Sequence, residues 1–443
     1  MNGLKAGFLG GWIVVHLLMR GEDPKKIRVL DIRPPTREDL TTGRAKAIDF
    51  RIVDIANADA VNEAFRAPWA DSDNSEITVF HTAANIRFYE RASSLISLSA
   101  KVNVDGTRNI LKASQNAGVT TLVYTSSGSI SVRRTRFWLW PWEKEPEYFV
   151  QAINDDDSLI PNRHGDFFSN YAYTKSMGEA MVRSADRTPS GMGKVLRTGC
   201  LRPGNGVYGP GGDILCGAYL VRRFNPTWIS HVMENFIYVE NCSLAHLFYE
   251  QRFIELAQGS KNPDVGGQAF CITDNGPPPT YGDVYLSLNV LTHGRTVFPE
   301  LSPSLMLLVA HIFEIIYLTR IKILQLPFPL RLLNRLVPQL NGDLINLQPS
   351  MFALVMPHLI FDDSRARLSP SKGGLGYKGK WTTLEGLCKL VDEFEKTGDK
   401  IEERQKTSGG ISFGFGWSRA ERGVGKVAKS LYALETAPET VLN

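Results

Sequence analysis

Gly7-Phe8-Leu9-Gly10-Gly11-Trp12-Ile13-Val14-Val15-His16-Leu17-Leu18-Met19-Arg20-Gly21, followed by Ile27-Arg28-Val29-Leu30-Asp31, is the stretch that decides the fold. Glycines open an apolar run of helical length, and Gly21 suits the left-handed turn that ends a helix. The second run reads as a short buried strand ending in an acid. Glycines, a helix, then a strand ending in Asp is the layout of a dinucleotide site. Glycine lets the backbone approach a pyrophosphate, and a helix start supplies N–H donors. Asp31 would accept hydrogen bonds from the adenosine ribose, which favours NAD. Arg33 keeps NADP open, because a guanidinium there can meet a 2′-phosphate. Of a G-x-x-G-x-x-G series the second and third glycines are Gly7 and Gly10, and Leu4 stands at the first. No strand pattern precedes the loop, so a sheet lacking its first, central strand is expected.

The same alternation continues outward. Ile48-Asp49-Phe50-Arg51-Ile52-Val53-Asp54-Ile55 reads as a strand and 58–65 as a helix. Glu76-Ile77-Thr78-Val79-Phe80-His81-Thr82-Ala83-Ala84 is a strand ending in small residues, which leave room for a cofactor. A helix from about 94 carries Asn103-Val104-Asp105-Gly106-Thr107, and Thr121-Leu122-Val123-Tyr124-Thr125-Ser126-Ser127 is a strand stopping at two hydroxyls. Strands separated by helices predict an α/β protein with a parallel, doubly wound sheet. Ligands of such sheets bind at the carboxyl ends of strands, where Asp31, Asp54, Ala83, Ala84 and Ser127 all fall.

Tyr171-Ala172-Tyr173-Thr174-Lys175 supplies the chemistry. On a helix, Tyr171 and Lys175 share a face. An ammonium within about 4–6 Å of a phenol favours the phenolate, which can exchange a proton with an alcohol. By itself this spacing also fits two surface residues one turn apart.

Bulk properties exclude other classes. The chain has 443 residues, a net charge of +4 and scattered basic residues, so no nucleic-acid stripe is expected. Five separated cysteines without a C-x-x-C pair, and no H-E-x-x-H, argue against a metal centre or a disulfide framework. The opening residues lack a secretory layout, and a reducing compartment is expected.

Taken in order, these motifs resemble the extended short-chain dehydrogenase/reductase superfamily. Within it the chain is most similar to the 3β-hydroxysteroid dehydrogenase and sterol-4α-carboxylate 3-dehydrogenase (decarboxylating) group. The resemblance runs from Gly7 to about Thr397 and includes Leu201-Arg202-Pro203-Gly204-Asn205-Gly206-Val207-Tyr208-Gly209-Pro210 and Tyr238-Val239-Glu240-Asn241. It implies a Rossmann-type domain over 1–207, a substrate-binding region over 208–400 and a flexible tail over 401–443. It implies Tyr171 as general acid/base, Lys175 as its electrostatic partner and ribose contact, and Ser127, or Ser126 one register away, on the substrate oxygen. Gly7, Phe8, Leu9, Gly10, Asp31, Asp54, Ile55, Ala83, Ala84, Asn103 and Pro203 are the implied cofactor contacts. Asn103 equally reads as a helix amide bonding its own neighbourhood.

The implied reaction is NAD(P)-dependent oxidation of the 3β-hydroxyl of a sterol, steroid or cyclic terpenoid, with or without loss of a C4 carboxylate. The alternatives are a terpenoid tailoring dehydrogenase, a nucleotide-sugar epimerase, a dihydroflavonol-type reductase, and an inactive binding protein that keeps the fold. The expected partners are a lipid-like small molecule, a membrane surface and a second copy in a homodimer.

Two further stretches bear on the substrate side. Arg133-Arg134-Thr135-Arg136-Phe137-Trp138-Leu139-Trp140-Pro141-Trp142 reads as a lid over an apolar substrate, a membrane-interface patch, or a loop packed on its own domain. The apolar run 305–318 is about 14 residues long, against roughly 20 for a spanning helix. With the basic, leucine-rich residues to 337 it reads as a surface-lying element, and otherwise as a buried helical hairpin. The resemblance then places the chain peripherally at the endoplasmic reticulum membrane, with the cytoplasm as the alternative. Asn154-Asp155-Asp156-Asp157-Ser158 reads as a solvated turn.

Overall fold

The computed structural model describes residues 8–69, 76–397 and 410–412. Its principal strands are β1 (Arg28–Asp31), β2 (Asp49–Ile52), β3 (Thr78–His81), β4 (Thr121–Thr125), β5 (Val150–Ile153), β6 (Lys194–Pro203), β7 (Ala269–Ile272) and β8 (His358–Phe361). The principal helices are α1 (Leu9–Arg20), α2 (Ala58–Arg66), α3 (Thr107–Asn116), α4 (Asn170–Ser184), α5 (Val239–Ala257), α6 (Tyr281–Leu291), α7 (Pro303–Leu324), α8 (Pro349–Val355) and α9 (Thr383–Thr397).

The main sheet runs in the order β7-β6-β4-β3, every neighbour parallel. β4 is buried at four of its five positions, the continuous burial of a strand covered on both faces. Val61, Ile110, Leu111, Leu122, Val182 and Leu196 form the core on one side of it.

β1 and β2 form a separate parallel pair, in register from Arg28 opposite Asp49 to Asp31 opposite Ile52. Among the described residues no strand hydrogen-bonds β1 to β3. This pair and α1 are joined to the rest through helix packing and side chains. α1 packs along α5. His16 Nδ1 lies 2.8 Å from Ser243 Oγ, Arg20 donates to Glu250 at 2.7 Å, and Trp12 Nε1 donates to the Pro210 carbonyl at 2.9 Å.

The expected division at residue 207 is crossed. β7 comes from the carboxy-terminal half, yet it completes the main sheet beside β6. α5 lies against β4 and β6 as well as α1. The half expected to serve the substrate therefore also builds the sheet that carries the cofactor side. The expected tail lies outside the described residues except for 410–412, which pair antiparallel with Gln339–Asn341.

α7 is longer than its apolar run predicts. It spans 22 residues and is long and apolar enough to cross a membrane by length and composition. Its cationic end continues as helix because Arg320 Nη1 donates to the carbonyls of Asn334 and Val337, 2.7 and 2.8 Å away. Only Leu307 and Ala310 of this helix are buried, which overturns the buried-hairpin reading.

Two other readings change. Trp138, Trp140 and Trp142 are exposed, and Trp140 stacks on Trp142 with ring centroids 5.4 Å apart. None of the three lines the large cavity described below, so the loop is not a cover over it. The acidic turn is solvated as expected, with Asn154, Asp156, Asp157 and Ser158 exposed, and gains a second role as a polar hub. Asp157 accepts from Arg183 and from Arg202, each at 2.7 Å, and Asp155 accepts from the Cys271 backbone N–H.

Candidate active site

A cavity of about 1690 Å³ runs from α1 and β1, past the ends of β3 and β4, to the inner faces of α7 and α8. That exceeds the roughly 300–1,000 Å³ of a single small-molecule site, as expected where a cofactor groove and a substrate chamber merge. Phe8, Leu9, Gly10, Asp31, Asp54, Ile55, Ala83, Ala84, Ser127, Tyr171, Lys175 and Pro203 all line it. Gly7 lies outside the described residues. Asn103 is not in the lining.

At one end, α1 begins at Leu9 behind Phe8, which gives no side-chain cap among the described residues, so the first turn presents its N–H groups where an anion could bind. A Cβ added to Gly10 would sit 3.1 Å from Thr82 Oγ1, so a side chain here crowds the neighbouring strand end. Asp31 closes β1, and its Oδ1 accepts the Arg33 backbone N–H at 3.0 Å. Burial lifts its carboxyl above the ordinary range, against those backbone hydrogen bonds and the Arg33 charge. Uncapped N–H donors and a carboxylate at the next strand end fit a dinucleotide, its pyrophosphate on α1 and its ribose on Asp31.

At the other end stands α4. Ser169 caps it by accepting the Ala172 N–H at 3.3 Å. Tyr171 and Ser127 both line the cavity wall, and the Ser127 hydroxyl favours the charged form of the phenol. Ser127 Oγ also lies 2.7 Å from Ser129 Oγ. The fallback, Ser126, is buried beside it and lines the same cavity, but its hydroxyl has no partner among the described residues.

Lys175 departs from the simple pairing expected of it. Its Nζ donates to the Thr125 carbonyl at 2.6 Å and sits 4.0 Å from the centroid of the Tyr124 ring. Burial pushes the ammonium down to about 7, despite the opposing charge of Glu179. Burial pushes the Tyr171 phenol up to about 12, against the Ser127 hydrogen bond. Each group is desolvated and each disfavours its own charge. Bringing the ammonium to the phenolate would relieve both penalties at once, since opposite charges stabilise one another more where water is excluded.

Asn103 sits behind this wall, in a π-helical turn, Lys101–Gly106, that leads into α3. Its Nδ2 donates to the Asn85 carbonyl at 3.1 Å and to Thr174 Oγ1 at 3.0 Å, and its Oδ1 accepts the Asn85 N–H at 2.8 Å. Its amide thus ties a cavity-lining loop to the catalytic helix. Gly178 explains how close that helix lies: a Cβ there would come within 2.7 Å of both the Asn103 carbonyl and the Tyr124 hydroxyl.

Below the helix, Glu179 pairs with Arg202 on β6 at 2.5 Å, both side chains almost wholly buried. Neither Thr125, whose carbonyl holds Lys175, nor Asn85 stood out in the sequence. Both act through the backbone, which any residue type supplies.

Strand-end carboxylate, uncapped helix and Ser–Tyr–Lys wall on one cavity define the class, an NAD(P)-dependent oxidoreductase on a doubly wound sheet. More narrowly, the chain belongs to the 3-beta hydroxysteroid dehydrogenase/isomerase family, whose model matches residues 4–292. It is 27% identical over 421 residues to the 3beta-hydroxysteroid-dehydrogenase/decarboxylase isoform 2 of Arabidopsis thaliana, covering 91% of this chain and 62% of that protein. It is 28% identical over 396 residues to isoform 1, covering 86% of this chain and 76% of that one. The 3 beta-hydroxysteroid dehydrogenase/Delta 5-->4-isomerase of Vaccinia virus (strain Ankara) is 29% identical over 294 residues, 62% of this chain and 71% of that protein. Among solved structures, a UDP-glucose 4-epimerase of Thermotoga maritima superposes with a TM-score of 0.56 at 18% identity, covering 88% of this chain and 97% of that one. At that identity the likeness concerns the fold.

Proposed function

We propose that this protein oxidises the 3β-hydroxyl of a sterol, steroid or cyclic terpenoid to a ketone, with NAD(P) as hydride acceptor. The observation that carries the reading is the convergence of Ser127, Tyr171 and Lys175 on the wall of one cavity that continues into an apolar chamber. Met306, Val309, Phe313, Leu347, Met351 and Leu354 line that chamber, a setting for a bulky hydrocarbon skeleton and a poor one for a nucleotide sugar.

The bound nicotinamide supplies the hydride acceptor. The chain's residues handle the proton. Ser127 and Tyr171 hydrogen-bond the substrate oxygen. Tyr171, as phenolate, takes the hydroxyl proton while the carbon loses its hydride and the C=O bond forms. Lys175 holds the positive charge that makes that phenolate accessible. Where the neighbouring carbon bears a carboxylate, the product is a β-keto acid, which loses carbon dioxide readily. The decarboxylase names of the Arabidopsis relatives support that extension.

The exposed outer face of α7, with Leu305, Leu308, Ile312 and Ile315, supports peripheral seating on a membrane, with the endoplasmic reticulum as the compartment. The test of function follows NADH formation from purified protein with 3β-hydroxysteroids, with and without a 4α-carboxylate. Turnover with either set is the expected result, and carbon dioxide release with the carboxylated set identifies the decarboxylating form. NADH binding without turnover of any alcohol would turn the reading to an inactive binding protein.

A further inference from the structure

α7 and the segment 85–92 carry an arrangement that the reaction itself does not require. Along α7, Met306, Val309 and Phe313 face the cavity. Next to Phe313 and one turn further on, the same helix carries polar contacts. Arg91 holds Glu314 with two hydrogen bonds, Nε to Oε1 at 2.7 Å and Nη2 to Oε2 at 2.6 Å, both side chains mostly buried. The Tyr317 hydroxyl donates to the Glu90 carboxylate and accepts from Arg87 Nη2 at 2.9 Å. Glu90 is 1% exposed. Two polar contacts therefore tie the middle of the helix to this segment, while Leu307 and Ala310 pack on Phe352 at its start and Arg320 holds the segment that follows it.

The other side of the same segment reaches the catalytic helix. The Glu90 carbonyl accepts the N–H of Asn170, the first residue of α4, at 2.7 Å. The Ala92 carbonyl accepts Asn170 Nδ2 at 2.9 Å. Asn170 immediately precedes Tyr171. Upstream, the Asn85 backbone is fixed by Asn103. One short segment thus touches the cavity wall, the start of the Tyr171 helix and the polar end of α7.

We propose that α7 is a closing lid over the substrate chamber, latched by Arg91–Glu314 and Glu90–Tyr317. In this arrangement Glu314 and Tyr317 are positioning residues for Tyr171. A bulky substrate that fills the chamber meets Met306, Val309 and Phe313, and so favours the latched state. The latched segment 87–92 in turn holds Asn170 and sets the first turn of α4. Binding energy from the apolar skeleton then completes the catalytic wall. The coupling to Tyr171 rests on the proposed oxidation; the lid does not.

Two measurements separate the parts. The first needs no substrate. A cysteine at Val309→Cys, in a Cys388→Ser background that removes the exposed native thiol, is labelled with a maleimide reagent. Glu314→Gln with Tyr317→Phe is expected to speed labelling about tenfold, because it raises the open population. Equal rates with and without the latch changes would overturn the lid.

The second uses a 3β-hydroxysteroid and cyclohexanol as alternative alcohols. The latch double variant is expected to lose about tenfold in kcat/KM for the steroid. It should lower kcat for cyclohexanol as well, since Tyr171 serves both alcohols, while NADH binding stays within about twofold, with charge reversal by Arg91→Glu plus Glu314→Arg recovering part of the loss. Unchanged kcat for both alcohols, or a loss of NADH binding as large as the loss of turnover, would overturn the coupling. If the parent oxidises no steroid, the proposed function fails and the labelling rates alone decide the lid.

Discussion

α4 and α7 invert the usual relation between hydropathy and burial. α4 reads as a mixed, polar helix, yet Asn170, Thr174, Lys175 and Glu179 are at most 2% exposed. α7 is the longest apolar helix among the described residues, yet Leu305, Leu308, Ile312 and Ile315 are 47–65% exposed. Buried polar groups cost stability unless each finds a partner. Neighbouring elements supply those partners to α4: Thr125 for Lys175, Arg202 for Glu179, Asn103 for Thr174. Exposed apolar groups cost less in isolation but mark surfaces that meet something else. The contrast teaches that the chemistry of the site, and not composition, decides which helix enters the core.

The hardest blow to this comparison falls on α4. Tyr171→Phe is expected to reduce kcat by about a thousandfold, within the range for loss of a general acid/base. NADH binding, followed by fluorescence, should stay within about twofold. Retained turnover would remove α4 from the chemistry and leave its buried polar face unexplained.

Lys175→Met probes the cost of that face through pH. The folded ammonium is pushed down to about 7 from the ordinary 10.5. Below pH 7 lysine is charged in both states and the folded protein bears the whole burial penalty. From pH 7 to 10.5 the unfolded chain binds the extra proton, so parental stability rises with pH. Lys175→Met removes a penalty that is larger at the lower pH. Its stability gain over the parent should therefore be roughly 2–3 kcal/mol greater at pH 7 than at pH 9, by denaturant unfolding without cofactor. A gain independent of pH would mean that the ammonium is better compensated than its surroundings indicate.

The smallest effect belongs to α7. Ile312→Ser with Ile315→Ser should alter stability in aqueous buffer by no more than about 0.5 kcal/mol per site, since exposed positions contribute little. The same pair should reduce co-sedimentation with phospholipid vesicles by severalfold. Unchanged partitioning would leave the outer face without its proposed partner, and a large stability loss would mean that it is covered within the protein.

Legibility in the sequence follows the same divide. The strands themselves were readable, because a buried parallel strand is a short apolar run; one ends at Asp31, and the other two end at His81 and Thr125, two residues short of the expected Ala83 and Ser127. The Tyr171–Lys175 spacing was readable because helical geometry places i and i+4 together. The Thr125 carbonyl that holds Lys175 was not, since a backbone acceptor has no residue signature. Asn103 was assigned to the cofactor, but the π turn sets its amide behind the wall; such turns leave little trace in composition. The length of α7 was underestimated because the apolar count stopped at the charges, whereas Arg320 finds carbonyls on the following segment. The division at 207 failed because β7 returns to the sheet from a distant part of the chain, a long-range pairing that local pattern does not encode.

The separation of β1–β2 from the main sheet has a consequence for cooperativity. Backbone hydrogen bonds tie β3, β4, β6 and β7 into one ladder, whereas among the described residues α1 is attached by side-chain contacts with α5 and β1 by the packing of Leu30 on the main core. Such a unit can open below the free energy of global unfolding, and its amides should exchange with deuterium sooner than those of β4. Asp31 and the start of α1, the two features that fit the dinucleotide, lie on it. Cofactor at about a hundredfold over its dissociation constant would add roughly 2.7 kcal/mol of protection to this unit first. The amino-terminal segment is thus where occupancy is recorded as order, and slowed exchange in residues 9–52 on adding NAD is the readout that would report it.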